Sequence, residues 1–245
     1  MPVVLLHAGV GDRTMWSEHL EPLADARFRA LALDLPGFGE APVAPGSQAP
    51  WEDVLRALKD LGIESAALVG NSFGAAVALR VAAVAPAAAS ALVLISPPPV
   101  DADPSPELAA AWEKEEAALE RGDLDAAVAA VVSAWTQPEA AAELKKRVAS
   151  MQRRALELQA AAAVSDEAAD PLEAHPEVLS QLGMPALLAA GQRDMPDFKA
   201  AARELADVLP RARSTVIEGA GHLAPLETPE AFRTLLLDFL ADEVA

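Results

Sequence analysis

The sequence predicts an α/β fold in which a mainly parallel sheet of about six strands is flanked by helices and interrupted by a helical insertion. Three observations carry this expectation. Short apolar runs alternate with helical patterns over residues 3–95 and again over 185–240, the rhythm of βαβ units. The connections between them are short. From Pro99 to Leu182 the rhythm stops and no strand is legible.

The elements follow in order. Val3 to Leu6 is an apolar strand that runs into the loop His7-Ala8-Gly9-Val10-Gly11, and Thr14 to Ala24 reads as an amphipathic helix. Phe28 to Leu33 is a second strand, closed by Asp34-Leu35-Pro36-Gly37-Phe38-Gly39 and a proline-rich loop to Pro50. Trp51, Val54, Leu55, Leu58 and Leu61 have helical spacing, and Gly62 ends the helix. Ala66 to Val69 is a short apolar run suited to a buried parallel strand, and from Phe73 no breaker appears until Pro86, which suits a buried helix. Ala91 to Ile95 is the fourth strand.

Within the insertion, Ser105 caps a helix with Pro106 at its first position and Gly122 at its close, and Asp123 caps the next. A longer helix is expected from Pro138, with Leu144, Val148, Met151, Ala155 and Leu158 on one face, and Ala160 to Ala163 is a run of good helix formers. These stripes read as packing faces. The α/β rhythm resumes with a strand over Pro185 to Ala190, a helix from about Asp197 to Leu209, and a strand over Ser214 to Ile217. Thr228-Pro229-Glu230 then opens a closing helix. The division is therefore a first core part at 1–98, the insertion at 99–182 and a second core part at 183–245.

Composition narrows the function. With 19 basic and 37 acidic residues the net charge is −18, which opposes nucleic acid and anionic lipid and weakens the case for polyanionic substrates. The absence of cysteine excludes disulfides, thiol catalysis and Cys-ligated metals. No apolar run reaches spanning length and the first residues lack a basic signal-peptide start, so a soluble cytoplasmic protein is expected, as a monomer or homodimer.

Three polar residues stand at the carboxyl ends of three expected strands: Ser72, Asp194 and His222. Loops at that edge of a parallel sheet converge on one crevice. Ser72 lies in Gly70-Asn71-Ser72-Phe73-Gly74, where a strand turning at once into a helix leaves the hydroxyl projecting from the sheet edge. A serine hydroxyl becomes a useful nucleophile when a base takes its proton, imidazole titrates in the right range, and a carboxylate orients the imidazole. Asp101 and Asp197 are the other candidate acids. Three prolines direct the chain away before Asp101, and Asp197 has a sufficient role in the first turn of a helix.

At these residues the chain resembles the α/β-hydrolase superfamily over nearly its whole length. His7-Ala8-Gly9 is similar to the family's His-Gly-x loop, Gly70 to Gly74 to its nucleophile elbow, and Gly191-Gln192-Arg193-Asp194 to its acid loop. Gly221-His222 with Pro229-Glu230-Ala231-Phe232 is similar to its histidine loop and terminal helix. The insertion falls where the family carries a helical cap, and the resemblance is greatest to capped esterases, enol-lactonases and prolyl-aminopeptidase-like members. It implies an α/β-hydrolase fold, a Ser72–His222–Asp194 triad, an oxyanion hole of the Gly9 and Phe73 N–H groups, and a structural His7. It also implies substrate contacts at Val10, Trp112, Trp135 and Leu223, a small-molecule ester substrate, and no cofactor or metal. Ala8 replaces the family's usual glycine. The chain begins at what would be the family's third strand, leaving six parallel strands with the Phe28 strand on an edge.

Two other readings compete. Gly9-Val10-Gly11-Asp12-Arg13-Thr14, with Asp34 after the next strand, approaches a dinucleotide fingerprint, but Thr14 stands where a third small residue belongs. A non-enzymatic ligand receptor on the same fold is the second. Ser72 rather than Asp at the elbow argues against dehalogenase and epoxide hydrolase chemistry. Ester, lactone, amide and carbon–carbon bond hydrolysis remain open.

Overall fold

The computed structural model describes residues 1–43, 46–100, 102–162 and 168–244. Six strands form one wholly parallel sheet in the order β2-β1-β3-β4-β5-β6. They are β1 (Pro2–Leu6), β2 (Arg29–Leu33), β3 (Ala66–Asn71), β4 (Ala89–Ile95), β5 (Ala186–Gly191) and β6 (Ala212–Ile217). The Phe28 strand lies on an edge, as expected, with Phe28 itself just before it.

Alternation along the strands divides the core into two layers. Val4, Leu6, Leu68, Leu92 and Leu188 face one side, with Trp51, Val54 and Leu58 of α2 (Pro50–Asp60) and the small residues of α3 (Phe73–Val84). Val3, Leu5, Val69, Val93 and Leu187 face the other, with Trp16, Leu23 of α1 (Ser17–Asp25), and Phe232, Leu236 and Phe239. Both faces of a parallel sheet must be covered, so its strands read as continuous apolar runs rather than as alternating ones. Burying each large apolar side chain contributes about 1.5–3 kcal/mol, and Trp16, Phe232 and Phe239 are among the largest fully buried.

From β1 the chain steps out to β2 and then returns to β3 on the opposite side of β1. This reversal separates the loops after β1 and β3 and opens a crevice at the carboxyl edge between them. Gly9 belongs to one loop and Ser72 to the other.

Between β4 and β5 the described residues hold helices only: α4 (Pro106–Glu120), α5 (Leu124–Trp135), α6 (Ala142–Ala160), the one-turn α7 (Pro171–Ala174) and a 3-10 turn at Pro176–Gln181. Ser105 and Asp123 cap α4 and α5 through the N–H groups of Leu108 and Ala126, as their sequence signals predict. The helix expected from Pro138 begins only at Ala142. Gln137, which would be its cap, sends its side-chain amide to the Gly219 carbonyl, and Lys145 Nζ holds the Pro138 carbonyl in a turn. The alanine run does not extend α6 past Ala160; Ala163 lies outside the described residues, as does Asp101.

The second core part adds α8 (Pro196–Val208), the short α9 (Ala224–Glu227) and α10 (Pro229–Val244). Thr228 precedes α10, and its hydroxyl donates back to the Ala224 carbonyl. The first helical segment starts with a 3-10 turn, Arg13–Trp16, before α1, rather than as one helix from Thr14. No helix among the described residues is long and apolar enough to cross a membrane.

Candidate active site

Ser72 joins β3 to α3 with φ 53° and ψ −115°, a conformation that costs a non-glycine residue roughly 1–3 kcal/mol. The flanking glycines are required by contact. A Cβ on Gly70 would lie 2.2 Å from the Gly74 carbonyl oxygen, and one on Gly74 would lie 2.2 Å from that of Leu6. The turn is therefore pressed against β1, and only hydrogen fits at either position. Ser72 N–H donates to Ile95 O at 2.8 Å, anchoring the turn to β4. Phe73, as the first residue of α3, has an N–H with no acceptor within the helix. A Cβ on Gly9 would stand 3.5 Å from Phe73 Cβ, so the two loops expected to supply the oxyanion donors are in contact.

His222 and Asp194 meet across the neighbouring loops. His222 Nδ1 lies 3.0 Å from Asp194 Oδ1, which also accepts from the Met195 N–H at 2.8 Å. An ionised carboxylate only accepts, so Nδ1 carries the proton and the lone pair sits on Nε2 at the other side of the ring. The imidazole is 6% exposed and lies between two aromatic rings, Trp135 of α5 at 4.6 Å and Phe198 of α8 at 4.3 Å between centroids. Asn71 Nδ2 donates to the His222 carbonyl at 3.1 Å and to Ile95 O at 3.2 Å, tying the histidine loop to the residue before Ser72. Glu227 holds the same loop from the other side. Its carboxylate accepts from Gly221 N–H at 2.7 Å and, across to the insertion, from Gln137 N–H at 2.9 Å.

Ser72 and His222 line one cavity of about 330 Å³ with Gly9, Phe73, Val10, Trp112, Trp135 and Phe198. Of the four expected substrate contacts, Val10, Trp112 and Trp135 are on its wall. Leu223 is not: it is 1% exposed and packs into the core layer beneath the sheet edge, because the chain turns into α9 directly after His222. A larger cavity of about 640 Å³ lies behind Phe73 and Ala76, bounded by Phe38, Trp51 and the Arg80–Asp170 ion pair. It contains none of the three candidate residues, so size does not mark the site here.

The other candidates find structural partners. Asp197 accepts from the N–H and the hydroxyl of Ser105, both at 2.7 Å, which pins the start of α4 to the core. Burial pushes its carboxyl up, but the hydrogen bonds together outweigh that and hold it below the ordinary range. Asp34 is occupied by the Arg13 side chain and by the N–H groups of Arg13 and Glu40, which leaves it no role as a ribose acceptor. His7 donates from Nδ1 to Ala8 O and accepts the Leu35 N–H at Nε2, shaping its loop from within.

His7 and His19 are buried, and burial holds both imidazoles below their ordinary range. Their neutrality in the fold contributes stability that is complete above the unfolded value near 6.5 and is lost as pH falls through the depressed folded values. The urea midpoint is therefore expected to fall as pH is lowered from 7 to 5.5. Burial raises the Glu115 carboxyl and acts with the opposite sign, weakening the fold as pH rises above 4.5. A Glu115→Gln background removes that opposing contribution, and a flat profile there would contradict the assignment.

A doubly wound parallel sheet with this strand–turn–helix at its switch point is the frame of the α/β hydrolases. The chain belongs to that family: a family model described as the alpha/beta hydrolase fold matches residues 1–229. It is 27% identical to a putative carbamate hydrolase RutD of Agrobacterium fabrum, over 98% of this chain and 93% of that protein. It is 39% identical to the dihydrolipoyllysine-residue acetyltransferase component of an acetoin cleaving system of Cupriavidus necator, but over 39% of this chain and only 26% of that one. Among solved structures, a thermophilic esterase from Thermogutta terrifontis superposes with a TM-score of 0.78 at 26% identity, covering 100% of this chain and 91% of that one.

Proposed function

We propose that the protein cleaves carboxylic esters of small to medium, largely apolar substrates through an acyl-enzyme on Ser72. The observation that carries this reading is a strained Ser72 lining one cavity with His222, whose Nδ1 is held by Asp194. Ser72 Oγ attacks the ester carbonyl while His222 Nε2 takes its proton. The oxyanion is stabilised by the N–H groups of Phe73 and Gly9, each such donor being worth about 3–4 kcal/mol in the transition state. Collapse expels the alcohol, which receives the proton from His222. A water activated by the same imidazole then releases the acid and restores Ser72.

The wall of Val10, Trp112, Trp135 and Phe198, with no Lys or Arg among the described residues that line it, favours an apolar acyl group in a confined space. The insertion supplies two of these side chains and so acts as a cap that sets substrate choice. Similarity to a carbamate hydrolase over nearly the whole chain favours, as a second reading, carbamate cleavage by the same residues. Fluorophosphonate labelling of Ser72, followed by turnover of a p-nitrophenyl ester panel, tests the proposal. Labelling with turnover of short apolar esters is expected. A non-enzymatic receptor would turn over none of the panel, and a wide preference for a dicarboxylate monoester would refute the assigned substrate class.

A further inference from the structure

Beside its apolar residues, the same cavity is lined by two polar side chains that the proposed mechanism does not use, Glu115 from α4 and Gln152 from α6. Gln152 is only 5% exposed, and its Nε2 donates to Glu115 Oε1 at 3.1 Å. The carboxylate takes the amide's donor end and so fixes which end of the amide remains. Gln152 Oε1 is left buried, with no hydrogen-bond donor among the described residues. Buried polar groups are almost always paired, and because Gln152 lines the cavity, a small turn of its side chain brings this carbonyl to a ligand that completes the set. Glu115 stands one helical turn from Trp112 on the same face, which directs both toward the cavity.

We infer that Glu115 and Gln152 form a recognition subsite for a hydrogen-bond-donating group without negative charge on the substrate, a hydroxyl, amide N–H or ammonium. This rests on the ester-hydrolase reading of the cavity and refines it: the acyl group is apolar except for one donor. The two neighbouring side chains both offer acceptors, one of them a carboxylate, and no Lys or Arg among the described residues lines the cavity to welcome an anion. Burial holds the Glu115 carboxyl above its ordinary range, opposed by the Gln152 hydrogen bond, as a partly desolvated acceptor requires. A carboxylate on the substrate would meet like charge there and be disfavoured.

The test compares p-nitrophenyl esters of butyrate, 3-hydroxybutyrate and 3-aminobutyrate with the hemisuccinate. The wild-type protein is expected to favour at least one donor-bearing ester over butyrate by about tenfold or more in kcat/KM, with the hemisuccinate below butyrate. The hydroxy and amino arms identify which donor the subsite takes. In Gln152→Leu and Glu115→Leu the preference within each variant should shrink toward one, whatever the absolute rates. A wild-type ratio near one overturns the inference, and this holds even where a variant does not fold. A preference that survives both substitutions in folded protein overturns it too. Failure to turn over any ester is a different result: it removes the hydrolase reading and the inference with it.

Discussion

Ser72→Ala is expected to reduce ester hydrolysis by about 10⁴-fold or more, with fluorophosphonate labelling abolished and the melting temperature little lowered. The hydroxyl is the atom proposed to form the covalent bond, and among the described residues the cavity wall has no Thr, Lys or second Ser to replace it. A nucleophile contributes more than any positioning group because its loss removes the acyl-enzyme route altogether. What remains is catalysis by the oxyanion donors and by binding. If the Ser72→Ala protein kept more than about a thousandth of the wild-type activity, the nucleophile would lie elsewhere.

The second large effect is expected at Asp194. Asp194→Asn should lower kcat by about 10²–10⁴-fold while leaving KM within a few-fold, because the amide can present its N–H to Nδ1 and favour the wrong imidazole tautomer. The Asp194–His222 contact is buried, with the Asp side chain fully enclosed and Asp194 Oδ2 without a hydrogen-bond partner among the described residues. Asp197→Asn should stay within a few-fold in kcat, since that carboxylate serves Ser105, although the docking of α4 loosens. Comparing kcat for the two single mutants, with Asp101→Asn as a third, decides which carboxylate serves the histidine. A crippled Asp197 or Asp101 mutant beside an active Asp194 mutant would overturn the assignment.

The core was legible because both sheet faces are covered, which makes runs such as Ala66 to Val69 apolar throughout and the glycines around Ser72 conspicuous. Strand-end position brought Ser72, Asp194 and His222 to one edge without knowledge of any contact. What stayed hidden depends on pairing between distant segments. Pro138 carries a helix-start signal, yet Gln137 spends its amide on Gly219 rather than on a cap, so α6 begins a turn later. Asn71 has no role that the turn around Ser72 demands, and only the fold shows it holding the His222 carbonyl. Glu227 carries no signal of its own in the sequence, and in the fold it bridges the histidine loop and the insertion. Glu115 and Gln152 sit 37 positions apart in helices rich in charged residues and Ala, where no local pattern distinguishes a cavity residue from a surface one.

The positive φ at Ser72 has a consequence for how this chain would change under different selection. Glycine adopts that backbone without the steric cost, losing part of the gain to its freer unfolded chain. A library of variants sorted only for resistance to heat would therefore tend to discard serine at this position, along with the hydroxyl. Serine there is retained only if something other than folding is being selected. Heat resistance and turnover, scored separately across all twenty residues at position 72, should place glycine above serine on the first scale and serine alone at the top of the second.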